Sequence, residues 1–491
     1  MTNQLRCYIY FQKESRNLPY NYIENFMTTK EQVFFKQSTS KNKIHFISLG
    51  CSRNLVDSEV MLGILLKAGY EATEVLPEAD YLVLNTCAFL KAARNESIDY
   101  LQHIIDTKKK DAKIILTGCM VSKHKEELSP WLPHIHYLLG SGDVEHILSA
   151  IESKESGEKR SAKSYLEMGD IPRKLSTPKH YAYLKIAEGC CKRCSFCIIP
   201  TIKGKLRSKP VDQVVKEFRL LLNLGVKEII LIAQDLGDYG RDFSSDRKSY
   251  LSYLLQTLLK EPGDYWIRML YLYPDEVDDS IIDLMEKDHR LLPYVDIPIQ
   301  HINNRILKNM RRTTSKEQIL DLLTKLRTRI SHIYIRSSFI VGFPGETDEE
   351  FQELVDFIKS SWIDHVGIFP YSQEEGSPAA DMPDQIPQNI KLKRLKTLSQ
   401  VQKKNVIKHN KQLIGKVIEA VIDGYHPDSK LLFTARFYGQ APEVDPCIIV
   451  NEAKMISNFG ERCLIEITDI AGYDLVGRII KKCPETNFPG Q

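Results

Sequence analysis

The sequence predicts an α/β chain in three folded parts: a parallel α/β amino-terminal domain, a partial (β/α)6 barrel and a small carboxy-terminal antiparallel β barrel. Three observations carry this. The 491 residues exceed what one core serves, at about 150 residues per domain. Short apolar runs alternate with helical patterns from Lys43 to Ser360. After Gly415 the pattern changes to five short β-branched runs separated by Gly, Asp and Pro turns. A composition of 43% hydrophobic and 27% charged residues excludes disordered and collagen-like classes. The net charge of +3 gives no overall pull toward nucleic acid or a membrane surface. No apolar run reaches membrane-spanning length and no signal-peptide core is present, so a cytoplasmic protein is expected.

Residues 1–42 are polar and aromatic-rich without periodicity and read as a terminal extension, Met27 offering another plausible start. The first domain spans 43–151, with strands at Ile44–Leu49, Tyr81–Leu84 and Ile114–Leu116 and helices at Ser58–Ala68 and Ala92–Thr107. A charged, Ser-rich stretch followed by Pro172 and Pro178 makes 152–178 a linker. The second domain, 179–388, has six predicted strands: Tyr183–Ala187, Glu228–Ala233, Trp266–Leu272, Val295–Ile299, Ile333–Val341 and Val366–Phe369. Helices at Val211–Leu224, Tyr250–Lys260, Glu276–Glu286, Lys316–Ile330 and Glu349–Ser360 join them, Pro210 opening the first. Six such units fit a partial barrel better than the complete eight. Residues 389–412 hold eight Lys/Arg and no acid, a solvated connecting helix or a contact to nucleic acid or ribosome. The small barrel occupies 413–485.

The eleven cysteines do not form a disulfide framework: the count is odd, and four fall within Cys190–Cys197. Cys190, Cys194 and Cys197 have the spacing C-x3-C-x2-C directly after the strand YLKIAEG. Three thiolates in one tight loop can hold three irons of a 4Fe–4S cube and leave the fourth open. A zinc site, which would want a fourth Cys or His, and a group of buried thiols are the other readings. Three further cysteines each follow an apolar strand: Cys51 after IHFISLG, Cys87 after YLVLNT and Cys119 after KIILTG. In a parallel sheet these positions share the carboxyl edge, where such folds bind ligands. Buried structural thiols are the alternative.

The loop C-x3-C-x2-C after a first barrel strand resembles the radical S-adenosylmethionine superfamily. Phe196 matches that family's aromatic position between ligands, and Gly342-Phe343-Pro344-Gly345-Glu346-Thr347 matches its G-x-P-G-E-T pattern. The resemblance implies that the open iron binds S-adenosylmethionine and that Phe196, Gly342 and Gly345 line the cofactor. The strings Gly50-Cys51-Ser52-Arg53-Asn54, Asn85-Thr86-Cys87-Ala88-Phe89 and Thr117-Gly118-Cys119 are similar to the amino-terminal domain of the methylthiotransferases. In that family Cys51, Cys87 and Cys119 would hold a second 4Fe–4S cluster. The likeness runs from Lys43 to Lys482 and makes the last domain TRAM-like. It implies an enzyme that forms a C–S–CH3 group from an unactivated C–H bond, cleaving S-adenosylmethionine to a 5′-deoxyadenosyl radical at the first cluster and drawing sulfur from the second. Individual catalytic side chains are not identified by it.

Within the family, Gln234-Asp235-Leu236-Gly237-Asp238-Tyr239-Gly240 and Pro298-Ile299-Gln300-His301 resemble the branch that modifies an aspartate of the twelfth small-subunit ribosomal protein, uS12. Ala187-Glu188-Gly189-Cys190 and Gln440-Ala441-Pro442-Glu443-Val444-Asp445 point the same way. The residues from Leu413 to Glu485 carry eight Lys/Arg against eleven Asp/Glu, net −3, which suits a basic protein better than RNA. Expected partners are therefore uS12, free or within a ribosome or assembly intermediate, and an electron donor, with no membrane and no DNA. The tRNA-adenosine branch is the alternative substrate class. A non-catalytic iron–sulfur or zinc scaffold is the alternative outside enzymes. Lys203-Gly204 and Ser208-Lys209 replace the family's common Arg-Gly and Ser-Arg, losing a bidentate fork. Cys191, beside a ligand, is a bystander or a substitute ligand, and His301 is either a hydrogen-bonded strand-end histidine or a substrate contact.

Overall fold

A computed structural model describes residues 42–161, 165–167, 172–243, 245–451, 456 and 458–483. The predicted extension 1–42 and Cys7 lie outside them, apart from Asn42. The chain forms two compact units. The first takes in residues up to Ser176 with Glu188–Cys190 and Ile198–Arg207; the second comprises Thr177–Ala187, Cys191–Cys197 and Ser208 onward.

The first unit is a parallel sheet of β1 (Lys43–Ser48), β2 (Glu71–Ala72), β3 (Tyr81–Thr86), β4 (Lys113–Gly118), β5 (Ile135–Gly140) and β6 (Gly157–Lys159), ordered β2-β1-β3-β4-β5-β6. Its helices are α1 (Ser52–Lys67), α2 (Lys91–Thr107), α3 (Cys119–Lys123), α4 (Ile147–Glu152) and α5 (Ile199–Lys203). Period-2 alternation sorts its strands between two cores. Leu82, Leu84, Ile114 and Leu116 pack on one face. Ile44, Val83, Ile115 and Leu139 pack on the other. The stretch read as a linker is not idle: β6 pairs with β5, and Tyr165 and Leu166 are buried. Strand β5 has no counterpart in the sequence reading.

The second unit holds β7 (Tyr181–Lys185), β8 (Glu228–Ile232), β9 (Trp266–Met269), β10 (Leu291–Asp296), β11 (Tyr334–Val341) and β12 (His365–Pro370), parallel neighbours in chain order. The sheet is open, with six strands as expected. Strands β7, β8 and β10 are buried at every residue, as in parallel sheets covered on both faces. The connecting helices include α6 (Val211–Asn223), α7 (Leu251–Leu258), α8 (Asp279–Lys287), α9 (Lys316–Arg329) and α10 (Asp348–Lys359). Helix α10 opens on a capping box from Thr347 and Glu350. The strand expected at Val295–Ile299 is instead Leu291–Asp296: it is buried at every residue, so no alternation marks its ends, and the pairing with β9 is irregular between Ile267 and Met269.

The basic segment is one 24-residue helix, α11 (Gln388–Lys411). After it, β13 (Val417–His426), β14 (Ser429–Arg436), β15 (Ile448–Val450), β16 (Arg462–Ala471) and β17 (Asp474–Lys482) close into a barrel. Its pairings are antiparallel except the parallel contact of β15 with β17. Among the described residues no helix is long and apolar enough to cross a membrane.

Candidate cluster and cofactor sites

Strand register brings the strand ends that carry Cys51, Cys87 and Cys119 together. Ser48 of β1 lies opposite Asn85 of β3, and Thr86 opposite Gly118 of β4. Cys87 and Cys119 thus leave neighbouring strands at the same level, and Cys51 follows one turn beyond β1. Each thiol lies within electrostatic range of the others. Cys87 and Cys119 are buried, and Cys51 is half-buried. Two glycines make this convergence possible. Gly50 has φ +91°, and a Cβ there would lie 2.7 Å from Cys87 Cβ. Gly118 has φ +101°, and its Cβ would meet Asn85 Oδ1 at 2.4 Å and Thr86 O at 2.5 Å. Both positions need positive φ and close backbone approach, which only glycine supplies cheaply.

A polar lattice fixes the strand ends. Asn54 Nδ2 donates to Leu49 O at 3.1 Å and to Thr86 O at 3.0 Å, and its Oδ1 faces Cys119 Sγ at 3.7 Å. Asn85 Nδ2 donates to Asn54 O and Ser58 Oγ, both at 2.9 Å. In the polar opening of α1, Ser52, Asn54, Asp57, Ser58 and Glu59 are all buried. Asn54 was visible in the string Gly50–Asn54, but nothing in spacing alone gave it a role.

Lys203 of α5 reaches the same neighbourhood. Its Nζ lies 2.7 Å from Glu188 Oε1 and 3.5 Å from Asp57 Oδ2, all three side chains being nearly inaccessible. Burial alone would lower its pKa, but Glu188, then Cys119 and Asp57, hold it well above the usual lysine value. The thiols separate accordingly. Burial pushes Cys119 up to about 12 and also raises Cys87. For the half-buried Cys51, burial also acts upward, yet Arg53 and the Asn54 N–H bring it below the usual thiol value. Metal ligation requires thiolates, so a bound cation must supply what Cys87 and Cys119 lack.

Cys190 lies in the first unit, its N–H donating to Gly204 O at 3.3 Å. Cys194 and Cys197 lie in the second unit and share a turn, Cys197 N–H to Cys194 O at 3.2 Å. Cys194 Sγ stands 3.9 Å from both Tyr273 Oη and Arg312 Nη1. The Arg312 guanidinium lies 3.6 Å from the centroid of the Tyr273 ring, and Lys192 Nζ lies 4.5 Å from it. Ser195 anchors the loop, its Oγ donating to Asn309 O at 2.7 Å and its N–H to Met310 O. Tyr273, Arg312 and Lys192 carry no motif and were missed. Cys191 is exposed, its sulfur 3.4 Å from Arg247 Nη2.

Phe196 packs with Ile306, Met310, Phe343 and Tyr371, so it joins the cluster loop to the Gly342–Thr347 turn. Gly342 and Gly345 both have positive φ. The Cβ direction of Gly342 is filled by Lys391 Cγ at 2.4 Å, whereas that of Gly345 is nearly open. The Glu346 carboxylate accepts from the N–H groups of Gly342 and Phe343, and Arg394 binds it at 3.2 Å.

Asp235, Asp238 and Glu276 form a carboxylate cluster with ligand atoms within 4.8 Å. Lys192 bridges all three, at 3.5, 3.3 and 2.5 Å, and Arg241 joins Glu276 at 2.6 Å. These cations make it an ion-pair cluster and not a vacant metal cage. Burial, with Asp238 adding, pushes Asp235 up to about 7, while Lys192 opposes. Glu188 is the ion-pair partner of Lys203. His301 is fully buried; its Nδ1 accepts from Asn303 N–H at 3.0 Å, so Nε2 carries the proton, and burial lowers its pKa to about 4. Gln300 before it has φ +76°, a strained value at a strand end. None of the ten described cysteines is in a disulfide.

The sequence matches three families: Uncharacterized protein family UPF0004 over residues 43–140, the Radical SAM superfamily over 184–358 and the TRAM domain over 414–480. It is 82% identical over 458 residues to a Chlamydia caviae protein named ribosomal protein uS12 methylthiotransferase RimO, covering 93% of this chain and 100% of that one. A protein of the same name from Chlamydia felis is 81% identical with the same coverage. One from Chlamydia pneumoniae is 74% identical, covering 93% of this chain and 97% of that one.

Proposed function

The chain belongs to the ribosomal protein uS12 methylthiotransferase family, and on that premise we propose that it places a methylthio group on the β-carbon of an aspartate of uS12. It is a radical S-adenosylmethionine methylthiotransferase. Membership of the radical family brings a 4Fe–4S cluster and S-adenosylmethionine, and the UPF0004 match points to a second cluster.

The donor sets fit such groups. Thiolates of one cube bind separate irons, so their sulfurs stand further apart than the ligands of a single ion. Consistently, among the described residues only the Asp235 cluster brings three ligand atoms within 4.8 Å. Cys190, Cys194 and Cys197 would hold the cluster that takes S-adenosylmethionine, with Phe196, Gly342 and Gly345 shaping its surroundings. Cys51, Cys87 and Cys119 would hold the second. Together the bound groups supply a hydrogen-atom abstractor and a sulfur donor, chemistry that side chains do not offer. The chain's own part is to fix the thiols on strand ends, neutralise their charge through Lys203 and Arg312, and keep His301 buried and uncharged.

The observation that carries the reading is the register of β1, β3 and β4, which aligns three strand-end cysteines on one sheet edge. An electron donor and uS12, free or assembled, are the partners this chemistry needs, in a compartment that keeps thiols reduced. Mass spectrometry of uS12 from a strain lacking the gene tests it: the methylthio group should be absent and return with the wild-type gene. Retention of that group, or its loss from tRNA adenosine instead, would contradict the assignment.

A further inference from the structure

Helix α11 contains eight Lys/Arg and no Asp or Glu. Two of the eight are spent inward. Lys391 Nζ donates to Tyr371 O at 3.0 Å, and Arg394 clamps Glu346 and Asp348. The remaining six, Lys393, Lys396, Lys403, Lys404, Lys408 and Lys411, are all exposed. Among the described residues none of their ammonium groups has a hydrogen bond or an ion pair within 4.0 Å. Asp348, which lies in range of Lys393, is already bound by Arg394.

At 3.6 residues per turn the six lysines fall in an arc of about 140° and run about 27 Å along the helix. The opposite side holds the buried Lys391, Arg394, Leu398, Gln402 and Val406. A merely solvated helix usually interleaves both signs in i, i+4 pairs, which stabilise it; like charges so spaced repel. Here the chain retains an all-cationic face at that cost, although its net charge is only +3 and the barrel that follows is net acidic.

We propose that this lysine face of α11 is a docking surface for the phosphate backbone of double-helical RNA. Lysine is a point charge suited to phosphate and carries no sequence readout. Helix α11 has no Phe, Tyr or Trp, so it lacks the stacking platforms used to hold single strands. Double-stranded RNA is bound through shape and backbone contacts, which a rigid row of lysines can make. A basic protein would be repelled by the same face. The inference stands independently of which residue of which substrate is methylthiolated.

The test is fluorescence anisotropy of a labelled 24-base-pair RNA duplex with the full chain, from 50 to 200 mM KCl. If all six lysines reach phosphates, log K against log salt has a slope of roughly −5. The variant K404Q/K408Q/K411Q keeps helix propensity and should reduce that slope by about 3 and weaken binding at least roughly tenfold at 100 mM. Its melting temperature and its cleavage of S-adenosylmethionine should match wild type, showing that the fold is intact. No salt-dependent RNA binding by wild type, an unchanged slope in the variant, or binding of anionic lipid vesicles in place of RNA would overturn the proposal. A chain that binds RNA but leaves uS12 unmodified would contradict the proposed function and leave this inference standing.

Discussion

Removing the ammonium of Lys203 should destabilise the first unit, because it strands two buried carboxylates. Lys203→Met keeps the length of the side chain and deletes its charge. It takes the cation away from Glu188 at 2.7 Å and Asp57 at 3.5 Å, whose side chains are only 5% and 4% exposed. Breaking a buried ion pair by removing one partner costs about 3–5 kcal/mol. For a unit of this size about 2–4 °C of melting temperature accompanies each kcal/mol, so a fall of about 6–20 °C is expected. Anaerobic calorimetry on the cluster-loaded protein measures it. The double variant E188Q/K203M should recover part of the loss, since it removes one stranded carboxylate, and the difference gives the coupling directly. Lys203→Arg should fall between, keeping the charge at the expense of repacking. Melting of Lys203→Met within about 2 °C of wild type, or no recovery in the double variant, would refute the reasoning.

Three other outcomes follow from the geometry. Gly118→Ala must fit a Cβ 2.4 Å from Asn85 Oδ1 at φ +101°; a loss of about 2 kcal/mol or more and poorer iron retention are expected, checked by melting and iron assay. Asn54→Ala strips donors from Leu49 O and Thr86 O and should cost about 1–3 kcal/mol in denaturant unfolding. His301 titrates near 6.5 when unfolded and near 4 when buried, so as pH falls through that window the unfolded chain takes up a proton first and stability is lost. The loss is at most about 3 kcal/mol, and His301→Gln should flatten the acid limb of stability against pH; an unchanged limb would show that His301 does not supply it.

Much of the site was legible because its logic is local. A strand followed at once by Cys, three times over, predicts convergence once the strands are parallel neighbours, and the register of β1, β3 and β4 delivers it. What escaped was set by tertiary context. Strand β5, IHYLLG, follows a turn-rich stretch with Pro130 and Pro133 that masked its start. Helix α1 begins at Ser52, six residues earlier than its apolar periodicity showed, because Asn54, Asp57 and Glu59 are buried against polar partners. Strand β10 is buried throughout, so period-2 alternation could not fix its ends. Lys203 looked like a weakened arginine in sequence. Its partners stand 15 and 146 residues away, a pairing that no spacing rule reveals. Tyr273 and Arg312 are likewise joined to Cys194 only by folding.

The central claim is that two separable thiolate triplets each hold one cluster with different duties. Iron content and S-adenosylmethionine cleavage, measured together on anaerobically reconstituted Cys194→Ala and Cys119→Ala, test it most directly. Each variant should lose about half the iron of wild type. Cys194→Ala should produce no 5′-deoxyadenosine, whereas Cys119→Ala should still produce it and yet transfer no methylthio group. Full iron in either variant, or loss of cleavage in Cys119→Ala, would contradict the assignment.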